Sequence, residues 1–222
     1  MKCWAKSVSK CCDTQSREHY ITKGLFSGKQ VYISGVPFLG GGSKEIAKAK
    51  LTRKCLCSKH NSQLSHLDNE AIKFGKSLEY ARELSLQRRQ SKKQRFGIHR
   101  EFIDQDIFCK WFIKTYLGLV DFFKKPSLID SDSLAMLVFS DKTIKRNVKL
   151  SSSMAAGDGF DINEAVSVAP LYRDDFTAGL WVKLYGVCIQ AEFSKVEKPH
   201  NNKLCLKFNG HDNKPSCIIQ IQ

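Results

Sequence analysis

Cys57-Ser58-Lys59-His60 sets a thiol and an imidazole three positions apart, and Cys3, Cys11 and Cys12 supply further thiols near the start of the chain. Zinc takes four tetrahedral ligands of these two kinds, usually as two sequence-local pairs joined by a connecting stretch. Cys57 with His60 is a regular second pair. The first pair is looser, because Cys3 and Cys11 stand eight positions apart, so the segment between them must loop back. The expected ligand set is Cys3, Cys12, Cys57 and His60, with Cys11 as the alternative to Cys12 and Cys55 as the alternative to Cys57. Five of the nine cysteines fall within the first 57 residues, which argues against thiols scattered only for packing. If this set shares one ion, the chain brings Glu18, His19 and Asn61 together. A carboxylate, an imidazole and an amide would then form a candidate hydrolytic site.

The order Cys3, Cys11-Cys12, Glu18-His19, a long β-hairpin, then Cys57-x-x-His60-Asn61 opening a helix resembles the zinc-stapled branch of the HNH endonucleases, whose ββα-metal motif sits on a treble-clef zinc finger. The resemblance covers about the first 75 residues. It implies that Glu18 is a ligand of one catalytic divalent cation, that His19 is the general base, and that Asn61 is a second metal ligand or the residue that fixes the loop. The chain departs from the family pattern in three places. Cys57 with His60 replaces the usual second cysteine pair, Tyr20-Ile21-Thr22-Lys23 stands where an apolar residue and proline often follow Glu-His, and no histidine falls four residues after Asn61. Asp68 is the expected completing ligand, with His66 as its alternative.

The implied chemistry is coherent. Phosphodiester hydrolysis needs a nucleophile at neutral pH and a cation to neutralise charge on the leaving oxygen. A histidine can accept the water proton, and oxygen donors such as Glu18 and the Asn61 amide suit Mg²⁺ or Mn²⁺. The structural Zn²⁺ would instead hold the hairpin against the helix, because two strands and one helix bury too little apolar surface to stand alone. The resemblance implies an endonuclease, as the effector subunit of a bacterial defence or mobile-element system. The other reading is a catalytically silent zinc-stabilised module that binds nucleic acid or adapts one protein to another.

Charge points the same way. Residues 1–100 hold 21 basic and 7 acidic side chains and residues 101–222 hold 15 of each, so the whole net charge of +14 lies in the first hundred residues. Such an excess favours polyanions through phosphate neutralisation and counterion release. Nucleic acid, DNA first, is the expected partner. Arg88, Arg89, Lys92, Lys93 and Arg95 form the densest basic run and the candidate phosphate clamp, against the plainer reading of a solvated linker. No apolar stretch approaches the roughly 20 residues of a membrane span, and the N-terminus lacks an apolar signal core. Nine cysteines without such a signal imply a reducing, cytoplasmic setting.

The elements that must position these residues follow from periodicity. Ala71, Phe74, Leu78, Ala81 and Leu84 predict a helix from about Ser65 into the basic run. Residues 38–43 read as a hairpin connection. A wide apolar stripe from Phe102 to Phe123 predicts a core helix, Leu134–Phe139 a buried segment, and residues 151–159 a loop. Period-two runs over 166–168, 180–185 and 187–193, with a tight turn at Gly186, predict a β-meander, joined by strands over 203–208 and 217–221. His200, His211 and the Asp174-Asp175 pair form no catalytic constellation, and Cys188, Cys205 and Cys217 read as small buried hydrophobes. The expected fold is α+β: a zinc-stapled treble-clef/ββα module, then a long helix packed on a small, mostly antiparallel sheet. The expected division is a basic domain over 1–95 and an α+β domain over 96–222, the second offering a surface for a protein partner.

Overall fold

The computed structural model describes residues 2–26, 28–36, 39–40, 42–91, 97–144, 146–154, 165–194, 203–209 and 215–222. It is a mixed α+β fold whose sheets are mostly antiparallel. Strand β1 (Gln15–His19) pairs antiparallel with β4 (Thr52–Cys57), Gln15 facing Cys57 and His19 facing Thr52. The register shifts between Ser16 and Glu18, a local bulge that re-aims side chains at the end of the ribbon. Helix α1 (Ser58–Ser62) follows Cys57 directly, and α2 (Ser65–Gln90) follows α1. The expected α2 stripe is buried at Ala71, Phe74, Leu78 and Ala81, Leu84 is half-buried, and Leu67 extends the buried face toward the start of the helix.

Strands β2 (Gln30–Ser34) and β3 (Ser43–Ala47) lie between β1 and β4 in sequence but leave that ribbon. They enter a six-stranded sheet completed by β6 (Val148–Met154), β7 (Ala165–Arg173), β8 (Phe176–Leu184) and β9 (Val187–Phe193), in the order β3-β2-β7-β8-β9-β6. A third sheet sets β5 (His99–Ile103) parallel to β11 (Pro215–Ile221), with β10 (Leu204–Asn209) antiparallel on the other side of β11. The β2–β7 pairing crosses the expected division at residues 95 and 96. One apolar cluster likewise joins Leu56 and Phe74 to Trp111, Leu180 and Ile219. The halves are interleaved.

Helix α3 (Gln105–Leu119) carries four of the six largest fully buried side chains among the described residues, Phe108, Trp111, Phe112 and Tyr116. Each contributes about 1.5–3 kcal/mol by leaving water, and ring pairs such as Phe74–Phe108 at 4.9 Å add packing specificity. The stripe that predicts this helix starts too early. Asp104 caps the helix by accepting the Ile107 N–H at 3.0 Å, so Phe102 and Ile103 fall in β5 and Phe102 is exposed. Leu134–Phe139 belongs to α4 (Ser131–Phe139), capped in the same way by Asp130. Residues 151–154, expected as loop, are in β6, and 155–159 lie outside the described residues. In place of one helix on a small sheet, α3 packs against α4 and against β8 of the six-stranded sheet.

The turn between β8 and β9 sits where expected. Tyr185 and Gly186 both take positive φ, 47° and 80°, the pattern of a two-residue hairpin turn that follows strand twist. Cys217 is buried, Cys188 is partly buried, and Cys205 is exposed on β10, contrary to its reading as a core residue. His200 and His211 lie outside the described residues, as do Phe38 and Gly41 of the hairpin connection. Among the described residues no helix is long and apolar enough to cross a membrane.

Candidate functional site

Cys57 ends β4 and His60 lies one turn later on α1, so strand and helix geometry bring thiol and ring together, Sγ to Nδ1 at 3.2 Å. The N-terminal segment loops over them. The Trp4 N–H donates to the Cys55 carbonyl at 3.1 Å, and turns at residues 4–9 carry the chain back. Cys3 Sγ then lies 3.5 Å and Cys11 Sγ 3.9 Å from the same Nδ1. All four ligand atoms fall within 4.8 Å of one another. A tetrahedron with Zn–S near 2.3 Å and Zn–N near 2.0 Å has edges of about 3.5 Å from sulfur to nitrogen and about 3.8 Å from sulfur to sulfur. The spacing and the donor set suit zinc.

The imidazole is oriented for that task. Ligation through Nδ1 would place the ring proton on Nε2, from which it can be donated to Ser9 Oγ, 2.9 Å away. His60 is fully buried, and burial, then the Lys59 charge, hold its pKa below 6.5 and keep the ring neutral. Burial and the neighbouring Cys3 and Cys57 thiols push Cys11 up to about 11, a cost that a bound cation would reverse. Of the two adjacent cysteines it is Cys11 that joins the group. Cys12 turns toward Thr14 and accepts the Lys59 N–H at 3.3 Å, which together draw its thiol down to about 7. Cys55 stands apart from the cluster as a buried thiol raised to about 11.

Behind this cluster the ribbon presents Glu18 and His19. The segment after them is pinned to α2 by close approach, since a β-carbon at Gly24 would collide with Ile72 and one at Gly75 would meet Leu25 Cδ2 at 2.8 Å. That contact sets Thr22 against Asp68, to which its hydroxyl donates. Asn61 donates its amide to Ser16 Oγ at 2.8 Å and lies near enough to Glu18 to favour its charged form. The Ser16 bond ties α1 to strand β1. Glu18, Asn61 and Asp68, drawn from β1, α1 and α2, share one neighbourhood, and His19 follows Glu18 on β1.

Sequence reasoning missed what lies at its centre. Lys114 of α3 is buried, with Nζ against Glu18 Oε1 and 2.6 Å from Asp68 Oδ1. The Trp111 indole donates to Thr22 Oγ1 at 2.8 Å, closing a chain from α3 through Thr22 to Asp68. The available signal was a lone lysine within Trp111-Phe112-Ile113-Lys114-Thr115-Tyr116, where a core stripe should have none. Burial raises the Glu18 pKa while Lys114 opposes it. Burial, then Lys23 and Lys114, lowers that of His19. His19 Nε2 is buried without a hydrogen-bond partner among the described residues.

The remaining candidates fall elsewhere. His66 is exposed, its Nδ1 3.0 Å from the Gln63 carbonyl, and does not enter the group. Arg88 donates to the Ser216 carbonyl at 2.9 Å and the Gly97 carbonyl at 2.6 Å, tying α2 to β11. Arg89 is exposed in the last turn of α2, and Lys92, Lys93 and Arg95 lie outside the described residues.

No family model, curated protein or solved structure matches the chain. The site must be read from its own chemistry.

Proposed function

We propose that the chain is an HNH-type endonuclease acting on nucleic acid, DNA first, built on a zinc-stapled ribbon. The observation that supports this reading is the meeting of Glu18 and Asp68 at one point, with His19 next to Glu18 on β1 and Asn61 next to His60 of the thiol cluster. A divalent cation, when bound, supplies charge neutralisation at the leaving oxygen. His19 is held neutral at neutral pH and so can take a proton from water at a ring nitrogen. Glu18 and Asp68 offer the hard oxygen donors, Asn61 ties α1 to the β1 strand that carries Glu18, and Thr22 orients Asp68. The basic first hundred residues supply sequence-independent attraction to phosphate.

A second reading, a silent nucleic-acid-binding module on the same scaffold, is favoured by one observation: Lys114 already engages both carboxylates. Nicking of supercoiled plasmid by the zinc-loaded protein with Mg²⁺ or Mn²⁺ separates the two. The endonuclease reading expects cleavage that His19→Ala abolishes while zinc content and folding persist. Cleavage retained in His19→Ala removes that residue from the mechanism. Absence of cleavage with salt-sensitive binding that survives His19→Ala establishes the silent module.

A further inference from the structure

The two carboxylates of this site are not open. One ammonium touches an oxygen of each, so the Lys114 nitrogen marks the point on which Glu18 and Asp68 converge. A hard divalent cation bridging the same two oxygens would need that point. We infer that Lys114 is the built-in occupant of the Glu18/Asp68 cation site, and that a divalent ion bridging the pair enters only in exchange for the ammonium. The inference deepens the endonuclease reading but rests on the local geometry alone.

Three observations support it. The ammonium is inside and the carboxylates are further out, with side-chain exposures of 3% for Lys114, 10% for Glu18 and 27% for Asp68. An incoming ion therefore meets the carboxylates from the solvent side, with the competitor beneath them. Next, the acidic pair is held in place by groups other than Lys114. Thr22, itself fixed by the Trp111 indole, orients Asp68, and the β1–β4 ladder holds the backbone of Glu18, so the donors stay convergent if the ammonium withdraws. Last, with both carboxylates ionised, one ammonium balances only one of their two charges, whereas a doubly charged ion would balance both. Lysine suits such a role because its charge sits on a long, flexible stem.

The test is binding of Mn²⁺ alone, followed by electron paramagnetic resonance on the zinc-loaded protein. Mn²⁺ favours oxygen donors and leaves the thiolate cluster to zinc. Lys114→Met should tighten Mn²⁺ binding at least tenfold over the wild type, and adding Asp68→Asn should abolish the gain. Should Lys114→Met fail to fold, Lys114→Gln, which keeps a polar tip, is read the same way. A variant that binds no more tightly, or more weakly, overturns the exchange, and weaker binding makes Lys114 a positioning residue that clamps the carboxylates for an ion on their outer oxygens. A gain that survives Asp68→Asn also overturns it. Tight Mn²⁺ binding by Lys114→Met with no nicking by either protein would sink the endonuclease reading and leave this one standing.

Discussion

His60 divides its ring between two tasks, Nδ1 toward three thiols and Nε2 toward Ser9. The division depends on Cys11 rather than Cys12 closing the group. The expected ligand is Cys12, and the structure brings in its alternative instead, because sequence does not say which way a looping segment turns its side chains. Elemental analysis of the purified variants checks the assignment: Cys11→Ser should lose zinc and Cys12→Ser should keep one ion per chain. His19 gives a second expectation. Its folded pKa lies below the ordinary 6.5, so the unfolded chain binds that proton more readily. The contribution to stability is complete above about 6.5 and declines as the pH falls below it. Urea titrations between pH 7 and 5 should show a shallower loss for His19→Gln than for the wild type; equal slopes would assign the acid sensitivity elsewhere.

Among the elements, those with strong internal periodicity were legible. Helix α2 follows the spacing of Ala71, Phe74 and Leu78, and the β8–β9 turn follows from Gly186. The failures have a common cause, since β5 and β6 are defined by partners distant in sequence. Phe102 and Ile103 continue the α3 stripe by coincidence, and Ser151-Ser152-Ser153 looks like loop until β9 pairs with it. Close approach also decides the β8–β9 contact. A β-carbon at Gly179 would collide with the Ala191 carbonyl, a backbone atom that cannot swing aside. Gly179→Ala should cost about 1–3 kcal/mol as an overpacking change and lower Tm by roughly 2–4 °C for each kcal/mol. Calorimetry measures it, and an unchanged Tm would show that the strands can separate at no cost.

At the scale of the whole molecule, charge and fold follow different boundaries. The basic excess ends near residue 100, yet strand pairing and the apolar core pass straight through that point. Composition suggested two units because it records surface, whereas cooperativity depends on what is buried. Thermal unfolding of the zinc-loaded chain should therefore give one transition in which calorimetric and van't Hoff enthalpies agree. Two resolved transitions would restore independent halves.

The interleaved strands also bear on how the chain is made. Residues 99–103 find their sheet partner only at 217–221, and β2 waits for β7. During synthesis the thiol cluster, whose ligands all lie within the first 60 residues, can assemble while the sheets around it still lack their partners. Metal capture by the nascent chain would then come before the slow, long-range steps. A cell short of zinc would be expected to release full-length chains whose β2 and β5 edges remain open to other molecules.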